Sequence, residues 1–224
     1  MVVGVIAVLI GILLPALSRS RESARAVGCL ANLRQMFVIC QSYANDHDGV
    51  GPAIGQPYAA PPNWALVIQR DAGRRGTTAA ALYSTNSILV CPTSQSTLGG
   101  EMTRTYAMNA TGHAGAAATA HHPPDPDNFD DPTNPAHIRF DRVRAPSTTA
   151  LLLDSAPAPV TGNAPPQSRT TSVIDFRNPA HLPARLGFVH GTGASDSGRF
   201  HWAAFDGSAS PGRDIDEQWT HPLP

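Results

Sequence analysis

The sequence predicts an α+β fold in which a long N-terminal helix packs on an antiparallel β-sheet. Residues 1–17 carry no polar side chain, and apolar residues then recur at three- and four-residue steps as far as Ala44. This is the pattern of one continuous helix. Beyond the helix, short apolar or alternating segments stand between turn residues, and the chain holds 21 prolines and 19 glycines. Short segments bounded in this way are typical of β-strands joined by loops.

The charge of the chain excludes one class of partner. It has 16 basic and 17 acidic side chains, a net charge of -1 and no lysine. Because no basic cluster is present, the electrostatic attraction to phosphate that nucleic-acid binding requires is missing, and we expect no nucleic-acid partner. The hydrophobic fraction of 42% is enough to supply a core, which excludes a wholly disordered chain.

The first predicted segment, residues 1–17, is an apolar half-helix that we expect to span a membrane. As a helix it is about 25 Å long, which is less than the hydrocarbon core of about 30 Å, so we expect the helix to begin before Met1. A signal peptide would need a small-residue cleavage site after the run, but residues 18–25 are rich in arginine. A buried core helix is the other alternative. Arginines after a span favour the cytoplasmic side for the rest of the chain. The family resemblance described below implies the opposite location, an inner membrane crossed once with a periplasmic or extracellular C-terminal domain.

The second predicted segment, residues 18–48, is an amphipathic helix that packs on the third segment, a loop-rich β domain at residues 49–224. The helix ends at a turn signal, since Asp48 and Gly49 are followed closely by Pro52. Its apolar stripe comprises Leu17, Ala24, Val27, Leu30, Leu33, Phe37, Cys40 and Ala44. In the β domain we predict strands at 88–91, 149–154, 186–190 and 199–205, with long loops at 112–135 and 157–168.

The helix and several later elements carry a resemblance to a known family. The helical segment from Val5 to Arg25 is similar to the N-terminal methylation segment of type IV pilin-like proteins and type II secretion pseudopilins. The run Cys29-Leu-Ala-Asn-Leu-Arg-Gln35 resembles more closely a planctomycete-type group of that family, whose C-terminal domain is called DUF1559. Further matching elements, in the expected order, are Leu89-Val-Cys-Pro92, Tyr106-Ala-Met-Asn109, the run from Ala145 to Asp154, and His190 with Phe205-Asp-Gly207.

The resemblance implies a pilin-like fold and a set of partners. Members of the family begin with a short basic leader, a Gly-Phe cleavage site and a glutamate a few residues later, so we expect the natural chain to be longer at its front. The implied partners are the inner membrane, other pilin-like subunits in a homo- or hetero-filament, and the assembly machinery of a secretion or pilus system. The family's final motif has nine residues between His and Asp-Gly, whereas fifteen separate His190 from Asp206.

Three groups of residues are candidates for chemistry. The segment from His121 to Asp131 is dense in histidine and aspartate, and it is either a metal site, which needs several converging oxygens, or a solvated polar loop. For His190 and Asp206 we expect a structural hydrogen bond across adjacent strands, because no nucleophile or metal ligand set stands beside them. The chain shows no Gly-x-Ser-x-Gly element and no phosphate-binding glycine loop. We therefore assign no catalytic, cofactor-binding or metal-binding residue, and expect no cofactor.

The three cysteines limit the possible disulfides. Cys29 and Cys40 are eleven residues apart on one helix, about 16 Å, which is too far for a disulfide. If the domain is exported, Cys40 with Cys91 is the more plausible pair, because Cys40 faces the apolar stripe. Three isolated cysteines make no zinc signature.

The sequence is compatible with three functions. The first is a non-enzymatic, membrane-anchored pilin- or pseudopilin-like subunit of a type II secretion or type IV pilus-like filament, with small residues such as Gly4, Ala7 and Gly11 allowing close helix approach. The alternative is a membrane-tethered extracytoplasmic metal-dependent hydrolase or ligand-binding domain. A lectin-like module is the third, since three tryptophans, Trp64, Trp202 and Trp219, could form sugar platforms, although burial is commoner for such residues.

Overall fold

The computed structural model describes residues 2–111, 114–115, 135–157, 168–178, 180–190, 198–216 and 219. It confirms a mixed α+β fold with a long N-terminal helix and a five-stranded sheet. The histidine- and aspartate-rich segment at 121–131 lies outside the described residues, as do most of the two predicted long loops.

The long helix α1, Val2–Asp46, has two different halves. Every residue from 9 to 21 is exposed. In the second half the buried residues recur every three or four positions, which places them on one face of the helix, and they are Cys29, Leu33, Met36, Cys40 and Ala44. The predicted stripe is confirmed at Leu33, Cys40 and Ala44, but it is wrong at Leu17, Ala24 and Val27, which are exposed. At about 100° per residue, these three positions lie on the side of α1 opposite its buried face.

The expectation that α1 spans the inner membrane is wrong. Among the described residues, no helix combines the length and the apolarity that crossing a membrane requires. The apolar run ends at Leu17 and is followed at once by Arg19, Arg21 and Glu22, whose charged side chains are costly to place in lipid. A span needs about 20 predominantly apolar residues. The expected location as a single-pass inner-membrane protein is not supported.

The main sheet has the strand order β5-β1-β4-β6-β7. Its strands are β1 Tyr106–Asn109, β4 Ala150–Asp154, β5 Val173–Ile174, β6 Phe200–Ala204 and β7 Ala209–Gly212. All neighbours pair antiparallel except β1 and β5, which are parallel, so the expectation of a purely antiparallel sheet is wrong at that edge. A separate two-stranded sheet joins β2 Ala114–Gly115 to β3 Ala136–His137.

The predicted strands are confirmed at two of four positions. The segments predicted at 149–154 and 199–205 contain β4 and β6. The segment at 88–91 is not a strand, since Cys91 caps a helix, α4 Pro92–Leu98, and Pro92 occupies its first turn, a position that suits the fixed φ of proline. The segment at 186–190 makes only isolated bridges, from Leu186 to Ser155 and from His190 to Arg199.

The described residues also contain three short α-helices, α2 Trp64–Asp71, α3 Ala79–Leu82 and α5 His181–Arg185, and a 3-10 helix at Phe140–Arg142. Most of α2 is buried, and the side chain of Asn63 caps it by accepting a hydrogen bond from the Ala65 amide. Two hydrophobic clusters form the core. One contains the buried face of α1 with residues of α2 and the sheet, and the other gathers Leu153, Phe200 and Trp219 with their neighbours.

Candidate functional site

A cluster of five chemically reactive side chains lies where α1, α4 and the central strands meet. We call it the Cys-His-Asp cluster, and its members are Cys29, Cys91, Asp154, His190 and His201. All five are buried. Because the neighbouring core excludes water, charges and hydrogen bonds within the cluster interact more strongly than they would in solvent.

The local structure explains why these five residues meet. Cys91 caps α4, where its sulfur lies 3.5 Å from the Ser94 amide nitrogen, and Cys29 is the first buried residue among the described side chains of α1. Asp154 is the last residue of β4. Since β4 and β6 pair with Leu153 opposite Trp202, Asp154 and His201 are neighbours across the two strands.

Cys29 and Cys91 form a disulfide, with Cα atoms 4.7 Å apart. The predicted pairing of Cys40 with Cys91 is therefore wrong, and Cys40 is a buried free thiol. Burial raises the pKa of the Cys40 thiol far above its usual range, and the negative charge of Asp71 adds to the effect, so Cys40 stays protonated and unreactive. The prediction that Cys29 and Cys40 cannot pair is confirmed.

The carboxylate of Asp154 organises the two histidines. Its Oδ2 lies 3.0 Å from Nε2 of His190, and it accepts a hydrogen bond of 2.7 Å from the backbone amide of His201. The imidazole rings of His190 and His201 are stacked, with centroids 3.6 Å apart. The sulfur of Cys91 lies 3.6 Å from Nε2 of His190, which links the disulfide to the histidine pair.

Burial changes the protonation of this cluster. It raises the pKa of Asp154, because the charged carboxylate loses its water, while the hydrogen bond and charge of His190 oppose the shift. Burial, together with the nearby His190, lowers the pKa of His201 from its ordinary 6.5 to about 3. Within the described part of the chain, Oδ1 of Asp154 and Nδ1 of His201 have no hydrogen-bond partner. Such an atom is costly to bury, by about 1–3 kcal/mol.

A groove leads from the surface to the two histidines. It has a volume of about 450 Å³, and α1 lines one side from Arg19 to Leu30. His190, Arg199, His201 and Pro211 line the rest. Small solutes therefore have a route to a cluster that the core otherwise encloses.

The structure corrects the predicted partner of His190. Asp206 does not bond to it: this residue is exposed in the turn after β6, where its Oδ1 accepts a hydrogen bond from the Ser208 amide. The partner is Asp154 instead, at the end of the run Leu151-Leu-Leu-Asp154. Asp154 and His201 were not predicted as site residues, although Asp154 ends one of the runs that carry the family resemblance. A carboxylate that ends a strongly apolar strand is the signal for a buried, partnered acid, because an unpaired one would be too costly to bury.

Of the three tryptophans considered as sugar platforms, two are not accessible. Trp64 is fully buried and Trp219 is 2% exposed. Trp202 is partly exposed and packs against the core, with its ring centroid 4.9 Å from that of Trp219. A flat stacking surface for a sugar requires exposed rings, so Trp64 and Trp219 do not provide one.

The pKa of His201 predicts acid sensitivity. In the unfolded chain this side chain takes up a proton near pH 6.5, whereas in the folded chain it does so only near pH 3. Between these values the unfolded state binds more protons, so stability is complete above pH 6.5 and is lost as the pH falls, by about 2 kcal/mol between pH 7 and pH 5. The pKa of Asp154 is raised in the folded chain. As the pH falls toward the ordinary carboxyl range, the folded state therefore binds more protons at this group, and its protonation adds stability.

Melting temperatures measured at intervals between pH 7 and pH 5 check this expectation. The variant His201→Gln should show a smaller decrease of Tm than the parent chain, because the titrating group has been removed. Parallel profiles for parent and variant would contradict the assignment.

No family model matches the chain, and no curated protein or solved structure matches it. The pilin-like resemblance of the helix therefore stays a prediction. The chemistry open to the Cys-His-Asp cluster follows from its own geometry.

Proposed function

We propose that this chain is a non-enzymatic, pilin- or pseudopilin-like subunit of a type II secretion or type IV pilus-like filament. One observation carries the proposal: α1 continues well beyond the domain as an exposed apolar helix. Its second half packs on the sheet, and its first half presents large hydrophobic side chains to solvent. An exposed apolar surface of this extent marks an interaction site.

The distribution of the exposed side chains favours several neighbours over one. The large hydrophobic residues of the first half are between 48% and 69% exposed and comprise Ile6, Leu9, Ile10, Ile12, Leu13, Leu14 and Leu17. At about 100° per residue they occupy an arc of roughly 200°. A single partner helix covers a narrow seam, so an arc this wide requires contacts on more than one side. The core of a helical filament supplies such contacts.

The remaining arc of the half-helix suits close approach of another helix. At helical spacing, Gly4, Ala7 and Gly11 fall together on it. A Cβ atom added at Gly11 would meet no other atom within 4 Å, so the space beside this position is open in the isolated chain. Small residues allow helix backbones to come near each other. The arc of large hydrophobic residues on one subunit would then fit against the arc of small residues on the next. We assign the partners as further copies of pilin-like chains.

In such a filament the two halves of α1 have separate tasks. The apolar half packs in the centre, and the sheet domain, held to the second half of α1, lies on the outside. Assembly would draw its energy from a separate ATPase, since the sequence predicts no nucleotide-binding loop.

The alternative function, a metal-dependent hydrolase or ligand-binding domain, stays a prediction, and the groove at His190 and His201 is the feature that bears on it.

Polar substitutions in the half-helix test the proposal. The parent chain should self-associate with increasing concentration and form filaments, whereas Leu13→Gln combined with Leu14→Gln should weaken association by about 100-fold, the equivalent of losing two buried leucine contacts. Sedimentation velocity and electron microscopy measure both. The matched control is Val27→Gln with Val38→Gln, since these valines are 63% and 62% exposed but lie outside the half-helix. A parent chain that stays monomeric at every concentration, or an equal loss in the control, would refute the proposal.

A second variant distinguishes specific helix packing in a filament from nonspecific hydrophobic association. Gly11→Leu adds apolar surface in open space, so the folded monomer should keep its Tm. Close packing of another helix against Gly4, Ala7 and residue 11 would nevertheless be blocked, and filaments should be lost or altered. Filaments identical to those of the parent chain would refute close approach at Gly11.

A further inference from the structure

Two overlapping sets of potential metal ligands converge in the Cys-His-Asp cluster. The ligand atoms of Cys91, Asp154 and His190 all lie within 4.8 Å of one another, and so do those of Cys29, His190 and His201. Because Cys29 and Cys91 are bonded to each other, the sets share one location. All of these residues are buried, so a bound cation there would be shielded from competing water.

One distance within the cluster matches that of a metal site, and a second is slightly shorter. In a tetrahedral zinc site, with Zn–N of about 2.0 Å and Zn–S of about 2.3 Å, neighbouring ligand atoms are about 3.3–3.8 Å apart. Nε2 of His190 lies 3.0 Å from Oδ2 of Asp154 and 3.6 Å from the sulfur of Cys91. The two sulfurs are much closer than this, because they are covalently joined.

A second, independent observation points to a ligand. Asp154 is fully buried, and its Oδ1 has no hydrogen-bond partner within the described residues. Its Oδ2, by contrast, is held by the His201 amide. The carboxylate therefore keeps an unused acceptor at Oδ1, while its Oδ2 lies beside the imidazole of His190, and a cation bound to the carboxylate would satisfy it.

We propose that the reduced chain binds one Zn²⁺ through Cys29, Cys91, His190 and Asp154. His201 is a positioning residue, since it orients Asp154 through its amide and stacks on His190. Thiolates and imidazole favour zinc over hard cations such as Ca²⁺ or Mg²⁺. The groove lined by His190 gives the ion an entry path. This proposal is independent of the filament proposal.

The proposal makes the disulfide and the zinc site mutually exclusive. Reduction breaks the sulfur–sulfur bond: two electrons enter from the reductant, and each sulfur takes one proton. Zinc then replaces both protons, which pass to solvent, and the sulfurs separate to about 3.8 Å. The same two residues thus join α1 to α4 covalently in an oxidising compartment, and through a metal ion in a reducing one.

Cobalt is the probe for the test, because tetrahedral Co²⁺ with thiolate ligands absorbs visible light. The full chain is reduced with a water-soluble trialkylphosphine. The phosphine takes the oxygen of one water molecule and becomes the phosphine oxide, and the two protons of that water end on the sulfurs. The reduced chain should bind one Co²⁺ with these bands, Zn²⁺ should abolish them, and the oxidised chain should show none. If the reduced, folded chain shows no bands, or if the oxidised chain binds cobalt equally, the proposal fails.

Variants check the ligands. Cys91→Ser should abolish the thiolate bands, and Asp154→Asn, which removes a ligand, should weaken cobalt binding by at least the roughly 10- to 100-fold that the loss of an outer-shell partner costs. Cys40→Ser and His137→Gln, which change a buried thiol and a buried histidine outside the cluster, should bind as the parent does. Circular dichroism shows that each variant is folded, and the comparison of oxidised and reduced parent chain needs no variant. Loss of binding in Cys40→Ser, or no loss in Asp154→Asn, would overturn the assignment.

Discussion

Replacing both Cys29 and Cys91 by alanine should lower the free energy of unfolding by about 4 kcal/mol. The disulfide joins residues that are 62 positions apart. Closing a loop of this length removes conformational entropy from the unfolded chain, and the loop-entropy relation converts that loss into about 4 kcal/mol at 25 °C. The effect is large because it approaches the whole stability of many small domains. Urea denaturation in the presence of a chelator, extrapolated linearly to zero denaturant, measures it.

The control for this experiment is Cys40→Ala. It also removes a buried sulfur but breaks no cross-link, so it should cost only about 1 kcal/mol. A double variant that is no less stable than Cys40→Ala would show that the cross-link does not stabilise the fold in this way.

Phe200→Ala should cost about 3–5 kcal/mol. Phe200 is fully buried in β6, and its ring makes edge contacts with those of Phe188 and Trp219, at centroid distances of 5.5 and 6.0 Å. Deleting the ring removes its transfer free energy and leaves a cavity that neighbours on a sheet fill only in part. Because Phe200 precedes His201, the same change should also loosen the backbone amide that holds Asp154.

Phe188→Ala provides the matched comparison. It removes the same side chain from the same aromatic pair, but Phe188 is 49% exposed, so we expect a loss of only about 1 kcal/mol. Calorimetry or urea denaturation of both variants measures the difference. Equal losses would mean that Phe200 contributes through its contact with Phe188 and not through burial.

Local pattern was sufficient to predict the helix and the two central strands. The amphipathic helix was predicted to end at residue 48, before a turn signal, and α1 ends at Asp46, because turn residues in this position stop a helix. The strand ending in Asp154 was predicted from its apolar run. Such signals are carried by neighbouring residues, so the distant parts of the chain do not change them.

Contacts between distant segments were not predictable in this way. Cys29 and Cys40 lie on the same buried face of α1, and the choice between them as partner of Cys91 depends on where α4 packs along the helix. The partner of His190 likewise depends on strand order, since β4 lies beside β6 in the sheet although the two are about 45 residues apart in sequence. The strand predicted at 88–91 failed for a local reason, as Pro92 favours the start of a helix.

The position of the cross-link on α1 also has a mechanical consequence. Cys29 is the first buried residue among the described side chains of the helix, so it stands at the boundary between the free half and the packed half. A pulling force applied to the free end would enter the domain at this covalent bond and pass into α4. Without the bond, tension would break the contacts of Leu33, Met36 and Ala44 with the sheet one after another. With the bond in place, these contacts would not carry the load. Reducing the bond would remove this protection without altering the surface of the helix.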